Sequence, residues 1–383
     1  MVYSLKIPGR TLFGKGALEE AGANFRALGT RALIVTGKIV QKSEAFSSLT
    51  RLLSKHSVGW AVFSEIPGEP DDRMIDEGAR AYGYAGCDFI IGLGGGSPMD
   101  SAKAIAAKVA LPGSVVDYAG REISGKLPSL ALIPTTAGTG SEATRFAVIT
   151  DSKKGAKLLL RGDALIPALA IVDHTFTLSA PPALTAYTGI DALTHAVEAY
   201  TSKKATPLTD PYALAAVSRI FESLPKAFKD GGDRAARESM SIAAYEAGVC
   251  ISNASVTLVH GMSRPIGAKF HVPHGLSNAM LLAHCLRFAA QGQPARFAKM
   301  ARFIGAAPNR FTDREAADAL IGAFAELTRI LNIPTLHDYG IPEKEYREAI
   351  PQMARDAIES GSPGNTLCDV AEGDIIRLYD SLY

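Results

Sequence analysis

The chain has 383 residues, 47% of them hydrophobic and 21% charged, with a formal net charge of +1. That length accommodates two domains of ordinary size, and the balanced charge excludes a global field for holding nucleic acid or an anionic membrane surface. The N-terminus MVYSLKIPGR lacks a signal-peptide core, no apolar run is long enough to span a bilayer, and Cys87, Cys250, Cys285 and Cys368 show no CxxC spacing, so a cytoplasmic protein without disulfides is expected.

The first 180 residues alternate short apolar runs with helical patterns. The runs RALIVTG (31–37), WAVFSEI (60–66), DFIIGLG (88–94), LALIPT (130–135) and ALAIVD (168–173) are bounded by Gly or Pro and read as strands buried on both faces. Segments such as DDRMIDEGARAYGYAG lie between them with helical spacing. The expected fold is an α/β domain with a mostly parallel sheet over residues 1–180, followed by an all-helical domain over 181–383. From Pro181 onward the patterns are long and helical, as in ALTAYTGIDALTHAVEAYTS and REAADALIGAFAELTRIL.

Two loops carry ligand chemistry. The run at 88–93 leads into Gly94, Gly95, Gly96, Ser97, Pro98, Met99 and Asp100 and then into the helix former SAKAIAAKVA. Glycines let a backbone approach a phosphate, and the following helix offers unpaired N–H groups at its positive end. Ser97 is expected to cap that helix, with Asp100 completing a capping box. This is not the standard fingerprint, because G-x-G-x-x-G does not follow the first strand; Gly92-x-Gly94-x-x-Ser97 with Asp117 mimics it weakly. The second loop, residues 134–142, follows an apolar run and is rich in hydroxyls and glycines, which suit phosphate, ribose or a carboxamide.

In the second half, Asp191 and His195 lie four apart, which puts them on one face of a helix. His260 and His274 bracket HGMSRPIGAKFHVPHG, and an unbroken helix would separate them by roughly 21 Å. They share an ion only if the chain turns back, and Pro265, Gly267 and Pro273 are the residues that allow a turn. One carboxylate and three imidazoles suit a divalent transition metal.

Four long ungapped segments make the chain resemble the iron-containing, or group III, alcohol dehydrogenase family. They are GGGSPMDSAKAIA (94–106), PTTAGTGSEATRFAVIT (134–150), TGIDALTHAVEAYTS (188–202) and HGMSRPIGAKFHVPHGLSNAMLL (260–282). The resemblance implies a dehydroquinate synthase-like architecture, with a dinucleotide-binding N-terminal domain, a helical C-terminal domain and a catalytic metal in the cleft between them. It implies Asp191, His195, His260 and His274 as ligands of Fe²⁺, with Zn²⁺ as the alternative ion. It assigns Gly95, Gly96, Ser97 and Asp100 to the pyrophosphate, Thr135, Thr136, Thr139 and Thr144 to the nicotinamide side, and Lys157 to the cofactor.

Two departures from the family pattern bear on chemistry. Where many members carry a histidine four residues after the first of HGM, this chain has Arg264, which cannot shuttle a proton at neutral pH; His271 is the expected substitute in proton relay. Where NAD-preferring relatives tend to place an Asp, this chain has Gly37, followed by Lys38, Lys42 and Ser43, so accommodation of a 2′-phosphate and a preference for NADP(H) over NAD(H) are expected. The resemblance thus implies metal-dependent, NAD(P)-linked oxidation of a small primary alcohol or reduction of its aldehyde by a homodimer. A polyol or glycerol-phosphate dehydrogenase on the same architecture is the alternative.

Overall fold

Runs of Val, Ile and Leu become strands where both faces of a sheet are covered, and the computed structural model, which describes residues 2–383, shows that arrangement in the first half. In chain order it comprises β1 (Arg10–Phe13), α1 (Ala17–Glu20), α2 (Gly22–Leu28), β2 (Arg31–Val35), α3 (Glu44–Lys55), β3 (Gly59–Phe63) and α4 (Asp72–Tyr84). There follow β4 (Phe89–Gly94), α5 (Gly96–Ala110), β5 (Ser129–Pro134), β6 (Phe146–Asp151), β7 (Ala156–Arg161) and β8 (Leu169–Val172). Six of these strands form one sheet in the order β1-β8-β5-β4-β2-β3, with every pairing parallel.

Alternate residues of the strands feed two separate cores. Leu33, Val35, Ile90, Leu130 and Leu132 pack with Ile75 of α4 and Met99 and Ile105 of α5. Ala32, Ile34, Phe89, Ile91 and Ile133 face the other way, onto Phe25 of α2 and Leu49 and Leu53 of α3. Each fully buried Ile or Leu contributes about 1.5–3 kcal/mol relative to exposure. The chain order reverses between β2 and β4, so the loops after these two neighbouring strands emerge together at the carboxyl edge of the sheet, where open α/β sheets bind ligands.

The all-helical second half consists of α6 (Pro182–Tyr200), α7 (Asp210–Lys229), α8 (Arg234–Ala254), α9 (Leu258–Phe270), α10 (His274–Ala290), α11 (Pro294–Phe303), α12 (Asp313–Ile330), α13 (Glu343–Glu359) and α14 (Glu372–Asp380). Its axis is α6, which is buried from Gly189 to Tyr200 without interruption and packs against α7, α8 and α10. The chain separates into two compact units, Lys6–Ser179 and Ala180–Tyr383 together with the N-terminal residues through Leu5. Among the described residues no single helix is long and apolar enough to cross a membrane.

Three local expectations are corrected. The short strand β1 and the antiparallel β6–β7 hairpin are additional; β1 is only four residues, RTLF, exposed at both ends, too short to show an alternation. Neither Pro265 nor Gly267 turns the chain: both lie inside α9. The reversal occurs at His271–Pro273, between α9 and α10.

Candidate metal centre and dinucleotide cradle

Helical spacing sets out the first half of the candidate metal centre. Asp191, His195 and Glu198 lie at i, i+4 and i+7 on α6, hence on one stripe, and all three are buried. The second half comes from a sharp break. Ser255, at φ 67°, ends α8, and α9 departs from it bent by 103°. Glu198 receives the start of α9: its Oε1 accepts from Thr257 Oγ1 at 2.7 Å and from Val259 N at 2.6 Å. Its Oε2 lies 2.6 Å from His260 Nδ1. One carboxylate therefore caps a helix and orients an imidazole, leaving His260 Nε2 to face Asp191.

His274 arrives at the first turn of α10. A Cβ on Gly275 would stand 2.3 Å from the Tyr187 carbonyl oxygen, so only glycine there lets α10 approach α6 this closely. With that approach, Asp191 Oδ1 lies 3.7 Å from His195 Nε2, 3.6 Å from His260 Nε2 and 3.6 Å from His274 Nε2. The donor atoms of Asp191, His195 and His260 all lie within 4.8 Å of one another. The amide of Asn278, one turn beyond His274, donates to Asp191 Oδ1 at 2.7 Å and faces the Nε2 atoms of His260 and His274 at 3.2 and 3.4 Å.

This set fits a divalent transition metal. Bonds of about 2.1–2.2 Å in a tetrahedron place donors roughly 3.4–3.6 Å apart, close to the separations from Asp191 Oδ1. A carboxylate and three imidazoles supply oxygen and nitrogen donors of the required hardness. The electrostatics agree. Burial opposes ionisation of Asp191, yet the neighbouring histidines hold its carboxyl well below the usual range. Burial likewise pushes Glu198 up, but the charge of His260 and its hydrogen bonds bring the net shift down. Burial pulls His260 down, and the carboxylates of Glu198 and Asp191 outweigh it and raise it. The site thus favours positive charge between its donors.

His271 is not hydrogen-bonded into this set. It terminates α9 at φ 55° in the left-handed region, and its side chain is exposed. Sequence reasoning missed Glu198 and Asn278. Glu198 was detectable by its i+3 spacing from His195; nothing in the sequence marked Asn278.

The loops of the first unit form the second candidate site. Gly94 adopts φ 147°, with a would-be Cβ 2.8 Å from Pro98. A Cβ on Gly96 would come within 2.9 Å of Thr139 Cγ2, and Thr135 N donates to Gly94 O at 2.9 Å. The glycine loop and the threonine loop are therefore packed together, bringing Gly95, Gly96 and Ser97 beside Thr135, Thr136 and Thr139. Gly95, not Ser97, is the N-cap of α5, and no side chain caps it. Asp100 is correspondingly not part of a capping box: it accepts from Ser141 Oγ at 2.6 Å and Val148 N at 2.9 Å. The free N–H groups of α5 are left facing the loop, as an anion requires.

Lys103, unmarked in the sequence reading, is the bolt between these loops. It is fully buried, and its Nζ donates to Ser141 O, Thr144 O, Thr144 Oγ1 and Phe146 O at 2.7–2.9 Å. Burial lowers its pKa to about 8, opposed by the charges of Asp100 and Glu142. Thr144 Oγ1 thus accepts from Lys103 Nζ. Glu142 is 1% exposed with no partner for Oε2, and burial pushes it up to about 7, opposed by its own backbone amide and by Lys103.

Near the end of β2, Gly37 bridges to Glu65. Lys38 Nζ is 2.8 Å from Glu65 Oε2, Lys42 is exposed, and Ser43 caps α3 by accepting from Phe46 N. Lys157 pairs with Glu69 at 2.6 Å. The fold therefore places an acidic partner beside two of the lysines that the sequence left unpaired.

Both halves of the chain are similar to known proteins. Residues 8–174 match the family described as iron-containing alcohol dehydrogenase, and residues 185–383 match the C-terminal domain of the Fe-containing alcohol dehydrogenase family. The NAD-dependent methanol dehydrogenase of Bacillus methanolicus is 35% identical over 92% of this chain and 92% of its own. The NADPH-dependent butanol dehydrogenase of Clostridium saccharobutylicum is 34% identical over 98% of this chain and 97% of its own. Among solved structures, a 1,3-propanediol oxidoreductase superposes with a TM-score of 0.96 at 33% identity, covering 100% of both chains.

Two predictions follow from these geometries. Glu198→Gln removes the acceptor that orients His260 and lowers metal affinity by about 10–100-fold, measurable by competition with a chromogenic chelator. Glu142, whose pKa rises from 4.5 to about 7 on folding, holds its proton more tightly in the native state, so its contribution to stability is present below pH 4.5 and is lost as pH rises through about 7. Glu142→Gln should flatten the dependence of the urea midpoint on pH between 4.5 and 7; parallel profiles for the two proteins would refute this account.

Proposed function

The chain belongs to the iron-containing alcohol dehydrogenase family and is an NAD(P)-dependent oxidoreductase acting on CH–OH donors; from that premise we propose that it interconverts a small primary alcohol and its aldehyde at Asp191, His195, His260 and His274. The observation that carries the proposal is the convergence of three imidazole Nε2 atoms within 3.7 Å of one buried carboxylate oxygen. A divalent ion held there supplies Lewis acidity toward the alcohol or carbonyl oxygen, and a nicotinamide supplies or accepts the hydride.

The chain's own residues do the remainder. Asp191 and the three imidazoles hold the ion, and Glu198 fixes the ring of His260 so that Nε2 presents its lone pair. Gly95, Gly96 and Ser97 receive the pyrophosphate through backbone N–H groups at the start of α5. Thr135, Thr136 and Thr139 orient the nicotinamide side, with Asp100, Thr144 and Lys103 holding those loops in register. This positioning is a contribution to rate in its own right. His271 relays the proton to solvent, a role consistent with its exposure.

The finer cofactor reading is NADP(H). Gly37 offers no carboxylate to repel a 2′-phosphate, and Lys42 is free to approach it. Lys38 is tied to Glu65, but an exposed pair is worth only about 0–1 kcal/mol and is readily exchanged for a phosphate. Lys157, largely buried and paired with Glu69, is the lysine that reaches the cofactor. The free cysteines suit a reducing compartment; a cytoplasmic homodimer acting on small molecules completes the reading.

The test is anaerobic reconstitution with Fe²⁺ or Zn²⁺ and assay of an alcohol and aldehyde panel with both cofactors. His260→Ala and His274→Ala should each lose bound metal and at least about 100-fold in turnover; full stoichiometry with normal turnover in either removes that residue from the ligand set. Lys42→Ala should lower kcat/KM for NADP(H) several-fold more than for NAD(H), and a clear NAD(H) advantage in the wild-type enzyme ends the NADP(H) reading.

A further inference from the structure

Arg264 carries a charge that the structure does not neutralise. It lies one helical turn after His260 on α9, which puts the two side chains on the same face about 5–6 Å apart at Cβ. The side chain is half-buried, and its single hydrogen bond is from Nη1 to Ser362 Oγ at 3.0 Å. Among the described residues no carboxylate lies within ion-pair distance of it. Its Nε and Nη2 have no partner, yet neither is sealed in the interior.

A second guanidinium in the same unit shows what a structural arginine looks like here. Arg237, 2% exposed, also lacks a bonded carboxylate, but it donates from Nε to Gly231 O, from Nη1 to Thr185 Oγ1 and from Nη2 to Ala180 O. Its three nitrogens are all used. Arg264 uses one and keeps the rest of its fork open.

The charge balance sharpens the contrast. The acidic group that acts on Arg264 is Glu198, which is already committed to Thr257, Val259 and His260. When the four donors hold a divalent ion, Asp191 and Glu198 offset its charge and the guanidinium remains as surplus. A partly desolvated cation of this kind is unfavourable alone and favourable with an anion that pairs with it. Burial pulls its pKa down, as expected of a cation without a bonded counter-ion, though Glu198 opposes that pull.

We infer that Arg264 is a specificity-determining residue that receives an anionic group on the substrate, a carboxylate or an equivalent sulfonate or phosphonate carried a few bonds from the reacting carbon. The planar fork matches such a group bidentately, and its place one turn beyond His260 sets the anion near the reacting end without competing for the ion. This rests on the dehydrogenase reading above and narrows its substrate class to short ω-hydroxy acids and their aldehyde acids.

The test compares 4-oxobutanoate with butanal, equal in chain length, on the Zn²⁺-loaded enzyme with its nicotinamide cofactor. Wild-type kcat/KM should favour 4-oxobutanoate by about tenfold or more, and that ratio should collapse toward unity in Arg264→Leu while Arg264→Lys retains part of it. Equal kcat/KM for the two aldehydes in the wild type, or a preference that survives in Arg264→Leu, overturns the assignment and leaves the dehydrogenase reading intact. Reduction of neither aldehyde counts against that reading instead. In that event calorimetric binding of butanoate to the Zn²⁺-loaded protein decides the role of Arg264: at least about tenfold weaker binding in Arg264→Leu supports it, and equal affinity refutes it. Should Arg264→Leu fail to fold, Arg264→Gln, which keeps a donor for Ser362, takes its place in both measurements.

Discussion

Two carboxylates are carried into the interior of the second unit on one otherwise apolar helix, and the arrangement around them follows from the need to compensate them. Removing an ion from water costs several kcal/mol even after relaxation, so Asp191 and Glu198 are tolerated only because other elements bring donors to them. Glu198 is answered by the start of α9, through Thr257, Val259 and His260. Asp191 is answered by imidazoles from α6, α9 and α10 and by the amide of Asn278. The break at Ser255 and the close approach at Gly275 are the backbone conditions for both answers. Stability and chemistry share these contacts, so a change that loosens the donors is expected to loosen the helix packing too.

The first unit solves the opposite problem with a cation. Lys103 is buried in an alanine-rich helix and satisfied by three backbone carbonyls and a hydroxyl from residues 141–146. Asp100, one turn earlier, ties the same segment through Ser141 and Val148. With these side chains facing the loop from beneath, the glycines and the uncapped start of α5 are left to a ligand. The candidate cradle is thus held by side chains on one side and bare on the side where a phosphate would meet backbone.

Arg264 differs from both groups. Asp191, Glu198 and Lys103 find their compensation within the chain, whereas the guanidinium finds one hydroxyl. An open cationic fork one turn from His260, with a single hydroxyl as its partner, is informative about the molecule that fills it.

Periodicity and composition alone determined the strands buried on both faces, the switch to helices near residue 180, and the grouping of Asp191 with His195, because each depends on spacing within one element. The resemblance carried His260 and His274 into the same set, although the residues named for the turn between them, Pro265 and Gly267, proved to lie inside α9. Asn278 and Lys103 were not legible, and Glu198 only through its i+3 spacing from His195: a charged or polar residue in an apolar helix looks alike in sequence whether it faces solvent or a partner on another helix. Asp100 and Lys38 were legible as residues but not as roles, since Ser141 and Glu65 reach them only through the folded chain. Spacing along one helix or strand is set by local geometry and can be counted. The pairing of charges across elements is set by how those elements pack, and that was decided only in the tertiary structure.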